Sequence, residues 1–278
     1  MTLRPAWSEV FAADRLRPVR PLPLPSPITH DWAFGTSTGA GVRVAVVDSG
    51  IEAGHPLVGA LQGGVALSLD ASTGEVVADE SPHADVVGHG TACAGIIRSV
   101  APGCDLLSVR VLGDSLTGRG SVFAAGLEWA LAAGAHVINC SLSTSREDYA
   151  AVFHEVVDAA AHRGVIVVCA VNNVVGTSLP ATFASVISVA AHEGRDPNAW
   201  DANPSPPVDF GAPGIEVEVA WRGGGTIVTT GNSFAAPHMT GHVARLLGQH
   251  PGLTAYEVKT ILRACAANTT ATADGRTG

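Results

Sequence analysis

Short apolar runs separated by longer amphipathic segments organise the middle of the chain. Five of these runs are rich in valine and isoleucine and carry few charges, which is typical of strands buried on both faces of a sheet: residues 42–48, 106–112, 135–141, 165–171 and 186–191. Between them, residues 121–134 and 150–164 repeat apolar positions at helical spacing and end at a glycine. This alternation predicts an α/β fold in which a mainly parallel sheet carries helices on both faces.

The same pattern divides the chain into one compact domain and two flanking segments. Residues 16–28 are dense in proline, which favours an extended chain, so we assign residues 1–30 to an extended N-terminal arm. We assign residues 31–266 to the compact domain, and we expect Thr254 to cap its last helix. Residues 267–278 are expected to form a flexible C-terminal tail.

Composition and charge narrow the classes of protein that fit this pattern. The chain of 278 residues is 46% hydrophobic, which is enough for a large buried core. Sixteen basic and twenty-five acidic residues give a net charge of −9 and no basic run is present, so we expect no nucleic acid partner. The N-terminal residues lack the apolar centre of a signal peptide, and no apolar run is long enough to cross a bilayer. We therefore expect a cytoplasmic protein without a membrane partner.

The cysteines favour the same compartment. There are five of them, an odd number, and they are widely spaced in mostly apolar surroundings. This arrangement is typical of free, buried thiols in a reducing compartment and not of a disulfide framework.

Polar residues with catalytic potential stand where the predicted strands end and helices begin. Asp48 closes the first strand before a Ser-Gly turn, and Asn172 and Asn173 follow the fourth strand. His89 lies between two glycines at the start of a helix of small residues. Ser233 begins another helix, where unpaired backbone N–H groups and the positive end of the dipole stabilise an oxyanion. Each residue alone also has an ordinary explanation, as a turn aspartate, a structural histidine or a helix cap.

Together, the three segments carry a specific signature. Asp in DSG, His in GHGT and Ser in GNSxAxP, in this order along the chain, resemble the motifs of the subtilisin-like serine proteases, or subtilases. Further matches to the family lie at Ile51, His55-Pro56, Ala101-Pro102 and residues 107–112, 138–142 and 209–214. The resemblance covers roughly residues 30–266. It implies a three-layer subtilisin-like fold and a serine endopeptidase that works through an acyl-enzyme.

The resemblance also implies a role for each residue. Ser233 would attack the scissile carbonyl, His89 would act as general base and then as general acid, and Asp48 would orient the imidazole and stabilise its charged form. The family completes its oxyanion hole with an asparagine side chain after a buried strand, and here Asn172 and Asn173 compete for that role. The spacing from the preceding helix favours Asn173 and leaves Asn172 where relatives usually have glycine.

The substrate implied by the family is an extended polypeptide bound as an added strand. The residues that match its groove are Gly118, Ser141, Leu142, Ser143 and Asn172. Ser143 and Asn172 stand in place of glycines, which favours exclusion of large aromatic side chains from a specificity pocket, whereas the segment from Asn173 to Pro180 is shorter than usual in the family, so the shape of the pocket stays open in both directions. Asn232 and Phe234 replace the usual Thr and Met beside Ser233, which alters the surroundings of the nucleophile.

Three further expectations concern metals, assembly and regulation. The helix after His89 passes directly into residues 99–102, without the loop that binds calcium in many secreted relatives, so we expect no metal and no cofactor. We expect a monomer, with Cys93 packed beneath the histidine. Only about forty residues precede the first strand, too few for a folded inhibitory prodomain, so residues 16–28 are a candidate cover for the groove.

Other classes of protein remain to be weighed against this interpretation. His238 and His242, four residues apart, have the spacing of a metal-ligand pair, but no glutamate follows His238 as in HExxH. An α/β-hydrolase would carry GxSxG and the order Ser, Asp, His. A peptide-binding pseudoprotease is the main alternative, and an enzyme dedicated to releasing one leader peptide is a variant of the protease hypothesis.

Overall fold

In the computed structural model, which describes residues 14–15 and 22–269, the apolar runs form the centre of one nine-stranded sheet. The strands in this part of the chain are β1 (Arg43–Asp48), β2 (Gly63–Leu69), β3 (Val76–Asp79), β4 (Asp105–Arg110), β5 (Val137–Cys140), β6 (Ile166–Ala170), β7 (Ile187–His192), β8 (Asp201–Ala202), β9 (Phe210–Pro213), β10 (Val217–Trp221) and β11 (Gly225–Thr229). Across the sheet their order is β3-β2-β4-β1-β5-β6-β7-β9-β8, and neighbours are parallel except at the two outermost pairs. β10 and β11 form a separate antiparallel hairpin.

Helices cover both faces of this sheet. Their bounds in the described part of the chain are α1 (His30–Phe34), α2 (His89–Val100), α3 (Gly120–Ala132), α4 (Ala150–His162), α5 (Asn232–Gln249) and α6 (Ala255–Ala264). A short 3₁₀ turn precedes α4. Thr254 caps α6, since its side chain accepts the backbone N–H of Glu257 while the Glu257 side chain accepts that of Thr254. The cap expected from the sequence is confirmed.

Two hydrophobic cores flank the sheet. Successive residues of a strand point to opposite faces, so Val44 and Val46 of β1 pack with α2 and α5, whereas Ala45 and Val47 pack with α3 and α4. The predicted α/β architecture, with a mainly parallel sheet between two helical layers, is confirmed. All five predicted strands form, as β1, β4, β5, β6 and β7.

The edge strands and the hairpin of β10 and β11 were not predicted. The apolar runs of β2, β3, β10 and β11 are short, about three residues at most, because glycine, polar or charged residues interrupt them. The hairpin nevertheless packs its apolar side onto α2, where Val219 contacts a cluster that includes Ile96 and Phe234. The hairpin therefore stabilises the helix that begins at His89.

The flanking segments are only partly described. Residues 22–29 form neither helix nor strand, while residues 1–13 and 16–21 of the predicted arm and residues 270–278 of the predicted tail lie outside the described residues. The helix that follows the arm, α1, packs near the end of α5: Trp32 stacks on His250, with ring centroids 4.3 Å apart. An α-helix rises 1.5 Å per residue, so the end of α5 against which α1 packs lies about 25 Å along the helix from Ser233.

The topology brings three strand ends and two helix starts to one edge of the sheet. β1 lies beside β5, and β5 beside β6, so residues that follow these parallel strands are neighbours. His89 is the first residue of α2, and Ser233 is the second residue of α5.

Candidate active site

A buried carboxylate and an imidazole form the centre of this edge. Asp48 is fully buried, and the Nδ1 atom of His89 donates to its Oδ1 and Oδ2 atoms at 2.8 and 2.9 Å. The backbone N–H of Ser49 also donates to Asp48 Oδ1, at 2.7 Å. The Phe234 ring packs against the imidazole, with centroids 5.2 Å apart. Because Nδ1 is held by the carboxylate, Nε2 is the nitrogen of His89 that is left to act on a substrate.

The electrostatics of this pair favour a strong base. Burial of His89 disfavours its charged form, but the negative charge of Asp48, the hydrogen bonds to that carboxylate and the contact with Cys93 together outweigh burial and raise the pKa of His89 well above its ordinary value. The imidazolium that forms during a proton transfer is therefore stabilised in place.

Asp85, which the sequence analysis did not single out, locks the segment around His89. Its buried carboxylate accepts the Ser49 hydroxyl at 2.8 Å and the Thr91 hydroxyl at 2.6 Å. It also accepts backbone N–H groups on both sides of the histidine, at Val87, Gly88 and Thr91. The signal that could have identified it is an isolated acid four residues before a histidine that stands between two glycines.

Close steric contacts explain why glycine stands on either side of His89. Gly88 has a φ of +119°, and a Cβ atom there would lie 2.6 Å from the Trp221 ring. A Cβ atom at Gly90 would lie 2.0 Å from the carbonyl oxygen of Gly50. The GHG motif is thus required for the helix to start this close to the turn after β1.

Ser233 opens onto a cleft of about 240 Å³ together with His89. As the second residue of α5, Ser233 has a backbone N–H among those that a helix start leaves without an intrahelical partner. The predicted substrate and oxyanion residues that line the same cleft are Ser141, Leu142, Ser143, Asn172 and Asn173.

Cys93 lies beneath the Asp48–His89 pair. Its Sγ atom is 3.7 Å from Asp48 Oδ2, 4.0 Å from His89 Nδ1 and 3.6 Å from the carbonyl oxygen of Ser233. Burial raises the pKa of the Cys93 thiol, so it stays protonated and acts as a weak donor. All five cysteines are free and buried, as the sequence predicted.

Among the described residues, Asp48, His89 and Cys93 form a group whose ligand atoms lie close enough together to hold a metal ion. These atoms are all within 4.8 Å of one another. They already bond one another, and the Asp48–His89 contact is needed to orient the imidazole. We therefore treat the group as part of the catalytic arrangement.

The two adjacent asparagines have different partners. Asn172 accepts the Ser143 hydroxyl on its Oδ1 at 2.6 Å and donates from Nδ2 to the carbonyl of Thr177 at 2.7 Å. Its backbone N–H donates to the Ser178 hydroxyl at 2.9 Å. Both ends of the Asn172 amide are therefore engaged within the protein.

Asn173 is exposed at the rim of the cleft. Its Oδ1 atom accepts the backbone N–H of Asn232 at 2.9 Å, which fixes the amide. The NH₂ group is then the half of this amide that can donate to a substrate oxygen. The geometry supports the preference for Asn173 over Asn172 as oxyanion donor.

Asn232, which the sequence analysis left unexplained, ties the turn before Ser233 to the sheet. Its Nδ2 atom donates to the carbonyls of Val171 at 3.2 Å and Asn172 at 3.0 Å. Its Oδ1 atom accepts the backbone N–H of Ala191 at 2.8 Å. One amide thus joins the ends of β6 and β7 to the residue before the nucleophile.

Gly118 is separated from the other predicted substrate residues. It lines a neighbouring hollow of about 270 Å³ instead of the cleft that contains Ser233. Leu142 and Ser143 line both spaces. A chain bound along this segment would therefore contact the cleft and the hollow in succession.

The histidine pair of α5 does not form a metal site. His238 Nδ1 donates to the carbonyl of Phe234 at 2.9 Å, and His242 Nε2 donates to the carbonyl of Pro197 at 2.9 Å. Burial lowers the pKa of His238 to about 4 and that of His242 to about 3. Both are neutral packing residues that bond separate backbone carbonyls.

Comparisons with known proteins agree with this geometry. The model of the subtilase family matches residues 39–278. Subtilisin E of Bacillus subtilis (strain 168) is 32% identical over 257 residues, which cover 87% of this chain and 64% of that protein. Subtilisin Savinase of Lederbergia lenta is 34% identical over 249 residues, which cover 86% of this chain and 87% of that protein. The chain thus spans less than two thirds of subtilisin E but most of Savinase.

A structural comparison gives the same family. The crystal structure of a cold-adapted subtilisin-like serine proteinase matches with a TM-score of 0.66 at 28% identity, covering 84% of this chain and 87% of that one. This similarity confirms the three-layer subtilisin-like fold. No helix among the described residues is long and apolar enough to cross a membrane. The family match over residues 39–278, the sequence identities and the shared fold together establish that this chain belongs to the subtilase family.

Proposed function

We propose that this protein is a serine endopeptidase that hydrolyses peptide bonds through an acyl-enzyme. The observation that carries the proposal is that the buried Asp48–His89 pair meets Ser233 and Asn173 at one cleft. A base with a raised pKa, a nucleophile at a helix start and an amide donor therefore face the same space.

In the first half of the reaction, the Ser233 hydroxyl attacks the carbonyl carbon of the scissile peptide and His89 Nε2 accepts its proton. Asp48 keeps the other ring proton on Nδ1 and stabilises the imidazolium. Negative charge that forms on the carbonyl oxygen is stabilised by the Asn173 NH₂ group and the backbone N–H of Ser233.

In the second half, the imidazolium of His89 gives its proton to the leaving amine, and the acyl-enzyme on Ser233 remains. A water molecule then attacks the ester carbonyl while His89 again accepts a proton. The bond between the acyl carbon and Ser233 Oγ then breaks, the imidazolium of His89 returns its proton to Oγ, and the acid product leaves. The oxyanion donors act in both steps.

The substrate in this proposal is a polypeptide in extended form. The cleft and the hollow at Gly118 lie along the segment that contains Leu142 and Ser143, which suits a chain added as a strand. We further propose a monomer that acts in the cytoplasm on a limited set of substrates, such as one leader peptide. The buried free thiols support a reducing compartment.

A fluorophosphonate probe that labels activated serines tests the function directly. We expect labelling confined to Ser233, located by mass spectrometry and lost in Ser233→Ala, together with cleavage of members of a peptide library. A folded protein that binds peptides, resists the probe and cleaves none would instead be a peptide-binding pseudoprotease.

A further inference from the structure

We infer that a hydrogen bond across the cleft, between Ser143 and Asn172, restricts cleavage to sites with a small residue at the scissile carbonyl. The inference rests on the proposed function, because it names the substrate class of that site. It commits to glycine, alanine or serine as the residue whose carbonyl Ser233 attacks.

The position of the reacting carbonyl determines where its side chain goes. The carbonyl carbon must lie beside Ser233, and its oxygen must face the Asn173 NH₂ group. The adjoining part of the cleft has one wall made of residues 141–143 and another made of residues 170–172. These walls follow the neighbouring parallel strands β5 and β6, so the side chain of the attacked residue enters the slot between them.

The slot is bridged. The Ser143 hydroxyl donates to Asn172 Oδ1 at 2.6 Å, directly from one wall to the other. A hydrogen atom or a methyl group on the substrate leaves this bond intact. An aromatic ring or a branched side chain that enters the slot must break it and leave two half-buried polar groups without partners.

The bridge is also anchored from behind. The Asn172 amide is held by the carbonyl of Thr177, and its backbone N–H by the Ser178 hydroxyl. The walls are tied together once more by a pair of backbone hydrogen bonds between Thr144 and Leu179, each 2.8 Å long. Neither wall can therefore move aside without the loss of further bonds.

Peptides that differ only at the attacked residue test this inference. In the wild type we expect kcat/KM for phenylalanine to be about 100-fold lower than for alanine. Asn172→Gly and Ser143→Gly each remove a side chain from the slot, and we expect each to narrow that ratio about tenfold or more, mainly through faster cleavage at phenylalanine. Ser145→Gly, an exposed position on the same segment, is the matched control and should leave the ratio unchanged.

Two variants keep the test decisive if one of them fails to fold. Melting temperatures identify a misfolded variant, and the remaining variant then carries the comparison. A wild type that cleaves after phenylalanine as fast as after alanine overturns the inference, as does an unchanged ratio in both folded glycine variants. Fluorophosphonate labelling of Ser233 in the same samples separates this failure from failure of the proposed function, because the probe places no side chain in the slot.

Discussion

The candidate active site has two halves, one around the base His89 and one around the nucleophile Ser233, and they are held in place by different kinds of interaction. On the side of the base, the buried carboxylates of Asp48 and Asp85 fix His89 and the turns around it. On the side of the nucleophile, the neutral amides of Asn173 and Asn232 hold the turn before Ser233 at the partly exposed rim of the cleft. Hydrogen bonds to a charged group are roughly twice as strong as neutral ones.

This difference has a consequence for mutation. Removal of a buried carboxylate leaves its hydrogen-bond donors without an acceptor in the protein interior. Changes in the half around His89 should therefore affect folding as well as rate. When an amide at the rim is removed, nearby water can replace its hydrogen bonds. Changes in the half around Ser233 should therefore mainly affect the rate.

The largest effect should come from the base. In subtilisin, removal of the triad aspartate lowers kcat about 3 × 10⁴-fold, and we expect a loss of this order for Asp48→Asn. The negative charge of Asp48 raises the pKa of His89, so its removal lowers that pKa. Because His89 acts as a base only when neutral, the rising limb of kcat/KM against pH should move to lower pH. A pH profile of the residual activity measures this shift, and a limb at unchanged pH would contradict it.

The oxyanion donor should give the next largest effect. Asn173→Ala is expected to lower kcat about 10²- to 10³-fold with little change in KM, the size known for loss of the corresponding donor in subtilisin. Asn172→Ala is the matched control, because its amide is already engaged with Ser143 and Thr177. Steady-state kinetics on an alanine-site peptide distinguish the two. A larger loss of kcat from Asn172→Ala would reverse the assignment.

Substitution of Asp85 tests whether the half around His89 contributes to the stability of the fold. Asp85→Ala leaves the Ser49 and Thr91 hydroxyls and several backbone N–H groups without an acceptor, so we expect the free energy of unfolding to fall by about 3 kcal/mol. Asp158→Ala removes a half-exposed aspartate on α4 that makes a 3.5 Å contact with His154 one turn earlier, and it should change this free energy by less than about 0.5 kcal/mol. Urea unfolding measures both. Equal stabilities for the two variants would show that Asp85 does not hold this half together.

Asn232 tests the second half. Its side chain fixes the backbone N–H that orients the Asn173 amide, so we expect Asn232→Ala to lower kcat about tenfold with KM little changed. The effect should disappear in an Asn173→Ala background, because Asn232 acts through that amide. Equal effects of Asn232→Ala in both backgrounds would assign it a purely structural role.

The sequence predicted the parts of this molecule that depend on local pattern and missed those that depend on distant contacts. The strand that ends at Asp48 and the cap at Thr254 follow from runs of apolar residues and from one side chain near a helix start. The bridge between Ser143 and Asn172 joins segments 29 residues apart, and Asn232 bonds Ala191 across 41. Such contacts depend on the order in which the strands pair in the sheet, and periodicity along the chain does not determine that order.

The smallest expected effect concerns metal removal. Both halves are held by groups of the protein itself, and α2 runs from His89 to Val100 with Ala101 directly after it. We therefore expect a chelator to leave the melting temperature and kcat/KM unchanged, and added calcium to raise neither. A ligand that binds only the folded state raises the melting temperature by mass action, so calcium titration after chelation is the sensitive form of this measurement. A drop on adding EDTA that calcium reverses would mean that a bound ion, and not the carboxylate and amide networks alone, stabilises the site.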